Sequence, residues 1–492
     1  MELLNYSIRL QSELEIRGAM LKTYYTYRIR IANNERVQVE KSNAQHQSLG
    51  EPSGVFRYQE KIGEAQPILE IARNNVENEL NDSAQTRALG EALFEILFDD
   101  VLRQDFVNFH YQVVQQEKQL LRVELDIDEQ GMPEVAALPW EFMCLPQKAN
   151  LGEIRLGTDP SIVFSRRRSQ WNPALPIQLK EGEKLRIALV ISAPDSLPRV
   201  MYEPVQEALE KLANDQTMPI ELLPVVSSAN ADEIDAVLEK EPHIFHFIGH
   251  GRLQNESNQE VGQIAFTDPD YNDEAMWVDA DYFSGLFARH RPGVVMLQAC
   301  EGGMSSASQA FAGVASRVVQ MNIPVVVAMQ YEVSNFSASR FARKFYERLA
   351  KGDPVDIAAQ NGRRSISQGP TQYRKRDFAT PVIFMRVQDG YLFQRPEDKP
   401  NAQANSSVPA GNLVRGKVDI ENAKDVKAIG AEADTLNSGT VEGEVKAGKA
   451  ENAKLIGAKV GNVGGGSGEV KAKLDLEEGK NVNAIGTQLG DV

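Results

Sequence analysis

HIFHFIGHG, residues 243–251, decides the fold. Ile244 to Ile248 is an unbroken apolar and aromatic run with one histidine inside it, too short for a helix of ordinary length and bounded by Gly249 and Gly251. Such a run is a strand buried on both faces, the kind found in the middle of a parallel sheet. Three of the chain's six histidines fall in these nine positions. They do not converge on a metal: His243 and His246 point to opposite faces of a strand, and His250 lies beyond its end. No cysteine pair lies nearby to complete a zinc site. His243 and His246 are read as core residues whose rings satisfy buried hydrogen bonds. His250 differs, because it stands between two glycines at the carboxyl end of the strand, where open α/β sheets place their active sites.

Working outward, "LRIALVIS", "IELLPVV", "GVVMLQA" and "IPVVVAM" repeat the buried-strand pattern and alternate with helical stretches such as 203–213 and 231–239. The expected architecture over residues 183–395 is a doubly wound, mostly parallel α/β sheet. Between the third and fourth strands "GQIAFTDPDYNDEAMWV" reads as a hairpin with a polar tip, followed by a helix near 280–289. The fourth strand ends as the third does: "VVMLQACEGG" delivers Cys300 at its edge, followed by Gly302 and Gly303. Phe311, Val314, Ala315, Val318 and Val319 then mark the buried face of a helix. A cysteine between a strand and a helix N-terminus is expected to have a lowered thiol pKa. If the two strands are neighbours, His250 and Cys300 face each other across one edge, as nucleophilic cysteine catalysis requires. Cys144, in "LPWEFMCLP", reads as a buried thiol with no such setting.

The rest of the chain sets the boundaries. At 492 residues it exceeds one ordinary core. Residues 25–31, "YTYRIRI", alternate as a half-buried strand, so the opening region reads as a small sheet. A helical pattern follows through Leu89, Leu93, Ile96 and Leu97, and "LRVELDI" at 121–127 returns to alternation. Residues 1–182 are therefore expected to be an α+β region packed on the 183–395 domain. Residues 396–412 read as a Pro- and Asn-rich linker, and residues 413–492 carry a loose repeat with Ile-Gly pairs at 429, 456 and 485. Short β segments repeated every 27 residues or so would stack as a short β-solenoid-like module; the alternative is a disordered low-complexity tail. The net charge of −16 argues against nucleic-acid binding, and the basic runs Arg166 to Arg168 and Arg374 to Arg376 read as solvated loops. Two cysteines build no disulfide framework, and neither a signal peptide nor a membrane-spanning stretch is evident. A cytoplasmic protein without membrane contact is expected.

At this point the residues carry a resemblance. "LQACEGG" resembles the caspase signature Gln-Ala-Cys-X-Gly, with His250 fifty positions upstream. From about residue 85 to 395 the order "LGEALFEILF", "LRVELDI", "ALPWEFM", "HFIGHG", "LQACEGG" and "VVVAMQYEVSNFSASRFARKFYERLAKGDPVDIAAQNGR" more closely resembles the CHAT proteases, relatives of caspases and separases. The resemblance implies a caspase-like fold and a cysteine endopeptidase without metal or cofactor. It implies His250 as base, Cys300 as nucleophile, and the backbone amides of Gly251 and Cys300 as oxyanion hole. Gln298 would line the pocket for the residue before the cut, and Gln330, Glu332 and Asn335, in "QYEVSN", would bind the extended substrate. Relatives of this type act in bacterial defence or cell death on a protein substrate, beside a sensor or adaptor protein. Glu301 and Asn335 depart from the residues common in such relatives, and point toward uncharged or polar side chains rather than Arg or Lys before the cut. Two other readings remain: a caspase-fold scaffold that has lost activity and binds a partner protein, and a nucleotide-binding protein using "GHGR" or "GNVGGGSG", neither of which is a phosphate loop.

Overall fold

The computed structural model describes residues 24–489 except 32–34, 75–82, 129–130, 147–152, 169–172, 257–258, 269, 272–273, 300–306, 321, 332, 370–375, 396–411, 425–426, 437–438, 452–453, 464–467 and 481–482. Two compact units result, Met1–Lys399 and Pro400–Val492.

Among the described residues of the first unit, twelve strands join one sheet. Across it run Ser48–Gly50, Arg36–Ser42, Tyr24–Ile31, Leu120–Ile127, Ile162–Arg167, Pro381–Met385, Val325–Met329, Val294–Ala299, Ile244–Gly249, Leu185–Ile191 and Ile220–Leu222, with Ser53–Val55 pairing beside Arg36–Ser42. The last five on this path are mutually parallel, and Pro381–Met385 is antiparallel to Val325–Met329. The chain moves from Leu185–Ile191 outward to Ile220–Leu222, then returns to Ile244–Gly249 and proceeds the other way. The order therefore reverses between Leu185–Ile191 and Ile244–Gly249.

Alternation along the central strands explains their continuous apolarity. Ile244 and Ile248 pack with Met296, Phe341 and Tyr346 on one face, while Phe245 and Phe247 pack with Val295, Leu297, Ile234, Phe283 and Val314 on the other. Each fully buried large side chain contributes about 1.5–3 kcal/mol. A polar residue on this strand is therefore tolerated only when its hydrogen bonds are met. Helix Ala307–Gln320 buries Val314, Ala315, Val318 and Val319, as their spacing predicts. Helix Asn335–Ala350 buries Phe341, Phe345, Tyr346 and Leu349 against the opposite face. Asn230 and Ser334 cap their helices by accepting from Glu233 N and Ser337 N.

Two expectations about the first half are corrected. The opening strands do not form a small sheet of their own: Tyr24–Ile31 pairs in parallel with Leu120–Ile127 and prolongs the main sheet. The run Arg166 to Arg168 is not a solvated loop either. Arg166 and Arg167 lie on a fully buried strand, where Arg166 is bound by Glu141 at 2.6 Å and Arg167 by Glu124 at 3.1 Å. Burial alone would raise the Glu124 carboxyl, but Arg167, Arg28 and Arg122 outweigh it and hold it below the usual range. These partners lie far away in sequence, so a local charge run could not reveal them. Lys375 and Arg374 fall outside the described residues, while Arg376 stacks on Tyr331 at 5.6 Å.

In the second unit two sets of strands alternate along the chain. Asn412–Lys424, Gly439–Glu451 and Gly468–Lys480 pair in parallel, as do Lys427–Leu436, Lys454–Val463 and Asn483–Leu489. Val414, Val441 and Val470 share one register, and Ile429, Ile456 and Ile485 another.

Candidate functional site

Strand Ile244–Gly249 has its histidine needs met internally. His243 Nδ1 accepts from Arg186 N at 3.0 Å. His246 Nε2 lies 3.1 Å from Gln298 Oε1, and its Nδ1 lies 3.1 Å from the Tyr346 hydroxyl. Burial lowers both rings to a pKa of about 4, and for His243 the neighbouring Arg186 adds to the effect. Both are neutral core residues, as the strand pattern implies.

His250 is held differently. It follows the strand, is 2% exposed, and places Nε2 2.7 Å from the carbonyl oxygen of Pro198. A carbonyl only accepts, so Nε2 carries the ring proton and Nδ1 keeps its lone pair. Burial lowers the ring's pKa, against a smaller opposing effect of the Pro198 carbonyl, so the neutral form persists at neutral pH. A neutral, oriented imidazole with a free lone pair is a competent general base. Pro198 sits in the loop after Leu185–Ile191, the neighbouring strand. No local sequence signal announces it.

The strand register brings the second half of the site alongside. Gly249 pairs with Ala299 in the parallel ladder, and these residues immediately precede His250 and Cys300 in the chain. Cys300 itself lies outside the described residues, as does Glu332. Gly251 opens an antiparallel strand, Gly251–Glu256, opposite Ile264. Ala265 N donates to His250 O at 3.0 Å, which makes 250 and 265 a hydrogen-bonded pair. Alternation in an antiparallel ladder then turns the Gly251 N–H away from the partner strand.

The remaining expected residues have more internal partners than their sequence position suggests. Gln298 is 1% exposed and faces His246; its Nε2 is buried with no partner among the described residues. Gln330 donates to Glu141 at 2.9 Å and to the Ala379 carbonyl at 2.7 Å, which ties it into the Arg166 ion pair. Asn335 begins its helix, buried, with Oδ1 unpartnered among the described residues. Asp377, which sequence reasoning passed over, lies at the same edge. It accepts from Ser334 Oγ at 2.8 Å, and burial raises its pKa despite Ser337, Ser334 and Arg376. Its only sequence signal is an acidic residue just before an apolar strand. Cys144 is buried, and loss of solvent pushes its thiol up to about 11, leaving it unreactive at neutral pH. Among the described residues no group of three His, Cys, Asp or Glu side chains is placed to hold a metal.

A family model for the CHAT domain matches residues 87–401, more than half of the chain. The chain belongs to the CHAT family. The mixed α/β unit with its large, mostly parallel sheet is consistent with a caspase-like fold for this CHAT protein. Among solved structures it is similar to the separase–securin complex of Saccharomyces cerevisiae, at 10% identity and a TM-score of 0.39, covering 80% of this chain and 32% of that one. The CHAT protein thus spans about a third of that chain's length. It is also similar to the complex of Porphyromonas gingivalis RgpB pro- and mature domains, at 11% identity and a TM-score of 0.35, covering 68% and 77%. The Arg specific cysteine proteinase gingipain R matches at 11% identity and a TM-score of 0.36, covering 68% and 76%. No curated protein matches the chain. No helix among the described residues is long and apolar enough to cross a membrane.

Proposed function

We propose that this CHAT protein is a cysteine endopeptidase with Cys300 as nucleophile and His250 as base. The observation that supports it most is the pairing of Gly249 with Ala299, since the residue that follows each of them in the sequence is a member of the proposed dyad. In the proposed reaction His250 Nδ1 takes the thiol proton as sulfur attacks the scissile carbonyl. The proton then passes to the leaving amine, and water releases the acyl group from sulfur through the same base. The tetrahedral oxygen would sit on the amides of Gly251 and Cys300, where fixed donors stabilise charge that exists only during reaction. Gln298, Gln330, Glu332 and Asn335 are assigned to the substrate-binding edge.

The finer fold reading belongs to the same proposal: a doubly wound caspase-like domain at 183–395, an N-terminal α+β region at 1–182, a linker at 396–412 and a β-solenoid-like module at 413–492. The near-constant offset between paired strands, 27 residues from Val414 to Val441 and 29 from Val441 to Val470, supports the last of these. We assign the module to docking of a protein substrate, or of a sensor or adaptor protein, in a cytoplasmic defence or cell-death pathway. A chain ended at Lys399 should then keep small-peptide cleavage and lose its protein target.

The test of the activity is peptide hydrolysis by the full chain and by Cys300→Ala and His250→Ala. Loss in both variants with thermal unfolding retained supports the dyad. Cleavage by folded Cys300→Ala at the wild-type rate contradicts it.

A further inference from the structure

The three-stranded sheet that follows His250 puts a cation on the same face as that residue. Gly251–Glu256, Gln259–Thr267 and Ala275–Asp279 pair antiparallel, with Arg252 opposite Gln263 and Gln263 opposite Asp279. The bond from Ala265 N to His250 O extends the ladder by one residue, so His250, Ala265 and Trp277 form the adjoining row. Residues paired across strands share a face, and so do residues two apart along one strand. His250, Arg252, Gln263 and Trp277 therefore lie on one face, while Ile264, Phe266 and Val278 on the other belong to the core. Alternate residues of an antiparallel strand are about 6.8 Å apart, the span of two residues of an extended peptide.

The Arg252 guanidinium is fixed on two sides. Its carbon lies 4.2 Å from the centroid of the Trp277 ring, and its Nε donates to Gln263 Oε1 at 2.9 Å. A planar guanidinium laid on an indole with Nε engaged presents its terminal N–H groups along one edge. Arg28, Arg122 and Arg166 each lie against a carboxylate. Arg252 has no ion-pair partner among the described residues, and Asp279, two strands away on the same face, accepts instead from Tyr282 N at 2.8 Å. Partial burial lowers the pKa of Arg252 with no anion opposing the effect. In a chain of net charge −16, where carboxylates are abundant, an ordered cation without one is available to an anion from outside.

We propose that Arg252, held by Trp277 and Gln263, binds a carboxylate side chain of the peptide substrate, so that Asp or Glu close to the scissile bond is favoured over Asn or Gln. A carboxylate accepts two parallel N–H bonds from the guanidinium edge. A carboxamide offers one oxygen and no charge, and a Lys or Arg side chain meets like charge. The inference rests on the peptidase reading above and adds to it a specificity-determining residue.

The test uses the full chain and peptides in which Glu or Gln is placed in turn at the positions flanking the cut. At one position Glu should raise kcat/KM over Gln by about tenfold or more, the ordinary worth of a hydrogen bond to a charged group. Arg252→Gln should abolish that ratio, Arg252→Lys should keep part of it, Trp277→Ala should weaken it, and added salt should shrink it in wild type. An arginine that only supported the fold would lower cleavage of both peptides alike. A ratio near one at every position in wild type, or a ratio unchanged in folded Arg252→Gln, overturns the proposal. Tryptophan fluorescence supplies a readout without cleavage: a Glu peptide, and not its Gln counterpart, should change the emission of wild type but not of Trp277→Phe or Arg252→Gln. If no peptide is cleaved and Cys300 takes no peptidyl probe, the peptidase reading fails; an emission change lost in Arg252→Gln then retains the anion site, and its absence overturns that site as well.

Discussion

Gly249 offers the sharpest perturbation of the site that leaves every polar group in place. A Cβ added there would stand 2.9 Å from Phe247 Cε1, 3.1 Å from Phe247 Cζ and 3.1 Å from Ser192 Cβ. Ordinary carbon contacts are about 3.5–4.0 Å, so the deficit is on the order of half an ångström to one ångström. The Phe247 ring cannot swing aside freely, because Phe266 and Phe283 flank it at 6.0 Å and 5.7 Å between centroids. Ser192 is fixed as well: its backbone N donates to Ile248 O at 2.8 Å. The strand end must therefore move, and His250 is the next residue. Overpacking of this kind costs about 1–3 kcal/mol, and a displacement approaching 1 Å at a reacting group costs about 100-fold in rate. We expect Gly249→Ala to lower the melting temperature by a few degrees and kcat/KM on a peptide substrate by about ten- to a hundredfold. Thermal unfolding and steady-state kinetics on the same preparation measure both. Wild-type kinetics in a variant that is measurably destabilised would refute the coupling between this contact and the position of His250.

Three further outcomes follow from burying titratable groups. The pKa of His250 is lowered by burial, so the base stays neutral below pH 6.5 and the acid limb of kcat/KM should fall only beneath that value; a midpoint above 6.5 would contradict the burial of the ring. His246 binds a proton more readily unfolded than folded, so its stability contribution is complete above pH 6.5 and is lost as pH falls toward 4, roughly 3 kcal/mol in all; urea midpoints between pH 7 and 4 should decline accordingly, and less so in His246→Gln. Asp356→Ala should destabilise by about 3–5 kcal/mol because it strands Arg122, now paired at 2.6 Å with both groups buried, whereas Arg122→Met with Asp356→Leu should come close to wild type.

The central sheet was legible because its strands are buried on both faces and so read as plain apolar runs. The end of strand Ile244–Gly249 just before His250 was legible for the opposite reason, since a histidine between glycines breaks the apolar run. What could not be read depends on partners remote in sequence. Arg167 looks solvated until Glu124 is beside it, and nothing near Gln298 in the sequence announces its partner His246 or the Tyr346 hydroxyl behind that ring. Strand Gly251–Glu256 was missed because "GRLQNE" has neither β-branched residues nor clean alternation; its pairing with Gln259–Thr267 supplies the stability its own composition lacks. Tyr24–Ile31 read correctly as a strand, yet nothing local shows that its neighbour is Leu120–Ile127.

The most direct measurement is site mapping with a cysteine-reactive peptidyl probe. The full chain offers two thiols: Cys144, buried with its pKa pushed up to about 11, and Cys300, which follows the residue paired with Gly249. We expect label on Cys300 alone, at a rate that falls by at least tenfold in His250→Ala. Label on Cys144, or on Cys300 at an unchanged rate without His250, would contradict the dyad.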